Sequence, residues 1–329
     1  MMLPLVVAPG DPAGVGPELI AAAWAARTLP PFAVAGGARL IAAAAAQRGI
    51  DCPVAEIDDL TEAIAVFAQA LPVLRGLECD YRPGMPERDG AAFALAGLTL
   101  ATGLAVRQEA AGLITAPVSK ALLAEVGFTH PGQTEFVAAA CGTASQDAVM
   151  LLAGPRLKVV PVTVHIALAE VPRRLTTDAI IRKGRILEAA LRRDFGIANP
   201  RIAVAGLNPH AGERGRMGGE EHAVIAPAIA ALQAGGIAAT GPVPPDALFT
   251  PRAREGYDAA LCMYHDQALI PLKALDFDQG VNCTLGLSIV RTSPDHGTAF
   301  DIAGKGLAEP GATIAAIHMA AAIAARRAS

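Results

Sequence analysis

Aromatic side chains are scarce, at 4% of 329 residues, with a single Trp and three Tyr. Alanine is abundant instead, so the helices are expected to be Ala-rich and to pack closely on a sheet. Charge is also thin, at 18%, with a formal net charge of −4. No basic stripe stands out, which excludes an ordinary nucleic-acid binder. The five cysteines (Cys52, Cys79, Cys141, Cys262, Cys283) are scattered without a CxxC pair. That excludes a disulfide framework and a Cys-based zinc site, and suits free thiols in a reducing cytoplasm. No stretch of about 18 residues lacks both charges and chain breakers, so no membrane span is expected. The N-terminus lacks a basic segment and is interrupted by Pro4, Pro9 and Pro12, which argues against a signal peptide. Internal repeats, low-complexity linkers, a GxGxxG fingerprint and a Walker A loop are missing as well.

What the chain does have is apolar content: 53% of it is hydrophobic, enough for a sizeable core. Short apolar runs read as strands at Leu5–Ala8, Phe32–Ala35, Leu113–Thr115, Ala148–Leu152, Lys158–Val164, Arg201–Ala205 and Ala259–Met263, and around a Gly286 bend within Gly280–Val290. Helical patterns lie between them. Within Gly90–Glu109, small residues (Gly90, Ala94, Gly97, Ala101, Ala105) permit close packing on a neighbour. The 51–86 region reads as irregular, and Gly235–Pro245 as turn-rich. Alternating strands and helices predict an α/β fold with a largely parallel sheet, arranged as two domains that share one long sheet.

The segment Met263–Lys273 organises the candidate chemistry. A buried strand runs into His265 and Asp266, and Lys273 follows. Ligands of open α/β sheets bind at the carboxyl ends of strands. His165 and His210 also lie just past apolar runs. A lone His there most often bonds a backbone carbonyl. Three in one context favour a ligand set for a catalytic divalent metal, provided the strands are neighbours. Asp246 and Asp266 are candidate bases or partners of a ligating His, although Asp246 also fits a turn after Pro244-Pro245. Lys273, Asn282 and Arg291 follow on consecutive segments and suit a small phosphorylated or carboxylated substrate. Gln133 and Thr134 open a helix, where Thr134 is expected near the N-cap, by a helix end that favours anions. The stretch from Thr292 to Gly306 reads as a long Gly-bearing loop.

Taken together, Gly10–Glu18, Thr115–Lys120, Gly132–Phe136, Val164-His165, Leu207–Gly212, Tyr264–Lys273, Gly280–Asn282 and Arg291–Gly306 resemble the 4-hydroxythreonine-4-phosphate dehydrogenase family. That family belongs with the isocitrate and isopropylmalate dehydrogenases. The resemblance implies two α/β/α domains sharing an extended mixed sheet, with the active site in the interdomain cleft of a homodimer and completed by the partner subunit. It implies a first domain over residues 1–130 and 268–329 carrying the cofactor loop. A second, over 131–267, would carry the metal ligands and dimer contacts. It implies NAD or NADP, one divalent ion (zinc, magnesium or cobalt) and a cytoplasmic oxidoreductase. His165, His210 and His265 match the family's metal ligands. Gln133, Thr134, Lys273, Asn282 and Arg291 match substrate-contacting positions, and Asp246 and Asp266 match active-site acids, with Lys273 a further catalytic candidate. His296, Gly297, Asp301 and Gly304 lie in what is similar to the loop wrapped around the cofactor's adenosine. The implied reaction oxidises 4-phosphooxy-L-threonine to a β-keto acid that decarboxylates, in pyridoxal phosphate biosynthesis. One departure stands out: the family has His where this chain has Gln133. Alternatives are a dehydrogenase of a phosphorylated sugar acid (threonate or erythronate 4-phosphate) and an acyltransferase-like or binding protein.

Overall fold

The computed structural model describes Leu3–Ser329. Among the described residues, twelve strands occur in chain order. They are β1 (Leu5–Ala8), β2 (Phe32–Val34), β3 (Val54–Ile57), β4 (Leu71–Leu74), β5 (Leu113–Thr115), β6 (Val149–Ala153), β7 (Lys158–Pro161), β8 (Arg201–Ala205), β9 (Ala238–Val243), β10 (Ala259–Cys262), β11 (Val281–Leu285) and β12 (Arg291–Pro294). Helices separate most of them, so the chain is mixed α/β, as the alternation predicts.

The chain divides into two compact units. The first runs to Ser145 and resumes over Leu287–Ser329; the second is Gln146–Gly286. The crossings fall at 145/146 and 286/287, against the 130/131 and 267/268 expected. Gln133 and Thr134 therefore lie in the first unit, and Lys273 and Asn282 in the second.

In the first unit the strand order is β3-β4-β2-β1-β5-β12, and the pairs are parallel. β1 reads Leu-Val-Val-Ala and is buried at every position. Such an unbroken apolar run is what a parallel strand covered on both faces requires. The helix Arg88–Val106 covers β1 and β5. Gly90, Ala94, Gly97, Ala101 and Ala105 are all buried. A Cβ on Gly97 would stand 2.9 Å from Pro9 Cδ, so only Gly allows the helix to lie this close to the loop after β1. This helix is long and apolar enough to cross a membrane, yet 56% of its most apolar window is buried inside the protein, as in a core helix.

In the second unit the order is β11-β6-β7-β10-β8-β9. β7, β10, β8 and β9 run parallel, while β6 is antiparallel to both its neighbours. The core here packs Leu152, Val159, Ala203, Ala260, Cys262 and Leu272.

Several readings need correction. The 51–86 region holds two strands, β3 and β4, with a capping box at Asp59 and Glu62. The turn-rich 235–245 stretch contains β9. Only 281–285 of the expected strand region is extended, and the next strand occupies 291–294, the first part of the expected loop. Beyond β10 the chain turns at once into the helix His265–Asp276, so His265 and Asp266 form a helical first turn.

Candidate active site

The second unit settles the proviso attached to the histidines. β10 lies between β7 and β8, in register, with Cys262 opposite Pro161 and Leu261 opposite Val204. Their carboxyl ends therefore lie side by side, and each is followed within five residues by one of His165, His210 and His265. Thr163 Oγ1 donates to Met263 O at 2.8 Å, tying the segment that carries His165 to the one that carries His265. The two imidazole centroids are 5.7 Å apart.

Asp266 accepts from His265 Nδ1 at 2.7 Å. That bond fixes the tautomer and leaves the Nε2 lone pair outward, the arrangement of a metal-ligating His with its orienting carboxylate. His165 and His265 thus fit a first-row divalent cation by donor chemistry. Among the described residues no group of three His, Cys, Asp or Glu side chains gathers around one point, so His210 does not join the pair within one chain. Asp246 is exposed in the first turn of the helix Pro245–Leu248. Lys273 is half-buried toward the end of the helix His265–Asp276. The Asn282 side-chain oxygen is buried without a hydrogen-bond partner.

His210 sits on unusual backbone. His210, Ala211, Gly212, Glu213 and Arg214 all have positive φ, between 41° and 74°, and form a left-handed turn. L-residues pay a steric penalty there. Two buried side chains that sequence reasoning missed hold the surroundings. Glu221, 7% exposed, accepts from Leu207 N at 2.9 Å, Asn208 N at 2.7 Å and Asn208 Nδ2 at 3.0 Å. Gln267, 6% exposed, accepts from Met263 N at 2.6 Å and donates to Gly206 O at 2.7 Å, clamping the ends of β10 and β8 together.

The first unit supplies a cation. Arg291, 4% exposed, starts β12 and donates from Nη2 to Thr115 Oγ1 at 2.7 Å and from Nη1 to Thr134 Oγ1 at 3.3 Å. Thr134 is not a cap: Gly132 is the N-cap residue of the helix Gln133–Ala140, with no side-chain cap bond. Its hydroxyl serves Arg291 instead. Thr115 was the missed partner; its only sequence signal is its place at the end of a buried strand. Gln133 donates through Nε2 to Ala116 O at 3.1 Å, and its Oε1 is buried without a partner. Gln133 is thereby engaged with the backbone just past the end of β5.

The Gly-bearing loop beyond β12 is firmly seated on this unit. Val15 N donates to Thr298 O at 2.9 Å, and Ala303 and Ala308 pack on Val15 and Leu19. His296 Nδ1 lies 3.0 Å from Gly297 O, and Asp301 and Gly297 are exposed. Gly304 has φ +73° and receives Gln47 Nε2 on its carbonyl at 2.9 Å. The loop is thus tied to the unit by backbone and side-chain bonds, with Gly297 and Asp301 at its exposed rim.

The second unit thus carries paired histidines at adjacent parallel strand ends, and the first a buried arginine bracketed by threonines suited to an anionic group, in a mixed α/β protein. The chain belongs to the family described as pyridoxal phosphate biosynthetic protein PdxA, whose model matches residues 28–320. A 4-hydroxythreonine-4-phosphate dehydrogenase of Erythrobacter litoralis is 62% identical over 99% of this chain and 98% of its own. One from Zymomonas mobilis is 52% identical over 97% of this chain and 95% of its own. A crystal structure of a 4-hydroxythreonine-4-phosphate dehydrogenase from Klebsiella pneumoniae superposes with a TM-score of 0.86, at 38% identity, covering 98% of each chain.

Proposed function

We propose that this protein is an NAD(P)-dependent oxidoreductase that converts 4-phosphooxy-L-threonine to 2-amino-3-oxo-4-phosphooxybutanoate, which decarboxylates to 3-amino-2-oxopropyl phosphate, in the cytoplasm. The observation that carries this reading is Arg291: a buried guanidinium oriented by Thr115 and Thr134, suited to an anionic group of the substrate. Family membership and the named relatives support the reaction class.

His165, His210 and His265 are the proposed ligands of a divalent ion such as zinc, magnesium or cobalt, and His296, Gly297, Asp301 and Gly304 the proposed nicotinamide-cofactor contacts. The chemistry such groups supply when bound is a lowered alcohol pKa and a two-electron acceptor. The chain's own residues do the rest. Asp266 orients His265 through the 2.7 Å bond and is committed to that task. Asp246, an exposed carboxylate, is the proposed acceptor of the hydroxyl proton. Gln133, Thr134, Lys273, Asn282 and Arg291 are the proposed contacts to the substrate's anionic and polar groups. The protein acts as a homodimer with shared sites. The strongly exposed apolar side chains of Leu168, Ile270 and Phe277 give the second unit surface for a second copy.

The test follows reduced nicotinamide by absorbance with 4-phosphooxy-L-threonine and added metal. Turnover with NAD or NADP, abolished by chelation, is expected; no turnover with either cofactor refutes the substrate. Faster turnover of threonate 4-phosphate, which lacks the amine, would move the protein to the phosphorylated sugar acids.

A further inference from the structure

The cofactor loop is tethered by groups that its own sequence does not reveal. Two come from the end of the helix Ala38–Arg48: Gln47 Nε2 donates to Gly304 O, and Arg48 Nη2 donates to Ala308 O at 2.6 Å. Arg48 has a second commitment. Its Nη1 stands 3.5 Å from Glu18 Oε2, on the helix Gly16–Ala25. Glu18 is 0% exposed, and neither carboxylate oxygen has a hydrogen-bond partner. A carboxylate so deeply buried persists only beside a compensating cation, and Arg48 is the one in contact. The start of its helix adds a favourable dipole. Burial and then the nearby Glu18 carboxylate push the Tyr81 hydroxyl up to about 12, with Arg48 acting in the opposite direction.

We propose that Arg48, held in place by Glu18, is a positioning residue that sets the geometry of the 298–308 loop and thereby the affinity for the nicotinamide cofactor. The inference rests on the reading of that loop as the cofactor site. Adhesion alone does not need this pair. Val15 and Leu19 already pack on Ala303 and Ala308, and a buried ion pair contributes less to stability than apolar residues of the same volume. What a guanidinium adds is direction: one nitrogen faces Glu18 and the other fixes the Ala308 carbonyl, so the end of the loop has a single position relative to helix Gly16–Ala25.

Four variants of the full-length, metal-loaded enzyme test this: Arg48→Met, Arg48→Lys, Gln47→Ala and His296→Ala. The readouts are KM for the nicotinamide cofactor, KM for the phosphorylated substrate, kcat and the thermal midpoint. Arg48→Met is expected to raise the cofactor KM about tenfold, with substrate KM and kcat within about twofold. Arg48→Lys, which keeps the charge but cannot serve both partners, should fall between it and wild type. Gln47→Ala cuts the exposed second tether and should raise the cofactor KM about threefold without affecting folding, so it decides the matter if Arg48→Met does not fold. An unchanged cofactor KM in the folded variants, with a raised one in His296→Ala, overturns the positioning role. An unchanged cofactor KM in His296→Ala as well overturns the loop reading and this inference with it. A lowered thermal midpoint with all kinetic constants unchanged assigns the pair to stability alone and also overturns the proposal.

Discussion

Replacing Glu221 should open the turn that carries His210. The four non-glycine residues of that turn, His210, Ala211, Glu213 and Arg214, each hold a left-handed conformation. Such backbone costs on the order of 1 kcal/mol or more per residue, so surrounding contacts must offset several kcal/mol. Glu221 is the buried group that binds the chain just before the turn, with three hydrogen bonds of 2.7–3.0 Å. Hydrogen bonds to a charged acceptor contribute about 1.5–3 kcal/mol each, and water replaces part of that where the turn is exposed. Glu221→Ala is therefore expected to lose about 2–4 kcal/mol by urea unfolding. Glu221→Gln should lose about half as much, because its amide NH₂ would face the Asn208 amide, another donor. Asn208 keeps its bond to Glu220 at 2.8 Å in either variant. The informative assay is amide hydrogen exchange over residues 207–214, in which protection should fall further than elsewhere in the second unit. Unchanged protection there, with stability within about 0.5 kcal/mol of wild type, would refute the reasoning.

Arg291→Lys keeps the charge but cannot bond Thr115 and Thr134 together in the guanidinium fork, so substrate KM should rise about tenfold while cofactor KM holds; steady-state kinetics checks this. Lys183, whose Nζ donates to Pro161 O at 3.1 Å, has its pKa pushed down to about 8 by burial. The unfolded chain then binds more protons between about pH 8 and 10.5, so this group makes stability rise with pH across that window. Urea midpoints measured from pH 7 to pH 10 should show the rise, and Lys183→Met should flatten it.

The legible strands were unbroken apolar runs. β1, β5, β8 and β10 are short apolar runs buried at nearly every position, and each was recognised within a residue of its true bounds. The strands that escaped are β3, β4, β9 and β12, the last of them read as the start of the Gly-bearing loop. β3 and β9 are the outermost strands of their units, where one side lacks a partner and burial is partial. β9 carries Gly241 and Pro242, residues that signal a turn in sequence but are tolerated at a sheet edge. Pro72 obscured β4 in the same way.

In the site, the residue types and their strand-end context were legible, but partners were not. Arg291 finds Thr134 and Thr115 across 157 and 176 residues, and Glu221 reaches back to residues 207 and 208. The Gln133 substitution was visible in sequence. What the structure adds is that its side-chain amide nitrogen donates to Ala116 O, so this side chain holds the chain's own backbone.

The insertion of β10 between β7 and β8 has a consequence for assembly in time. β7 and β8 emerge first during synthesis, yet in the finished protein they are not neighbours; the strand that separates them is made some fifty residues after β8 ends. Pairings this distant in sequence close late, because the entropy of the intervening loops must be overcome first. His165 therefore has no imidazole neighbour until residues 259–265 have been made and have threaded home. A nascent or truncated chain ending before β10 would lack the strand end that carries His265 and the Met263 carbonyl to which Thr163 donates. The closeness of these two imidazoles is thus made by a pairing that the chain completes late, with only β11 of the second unit's strands still to follow.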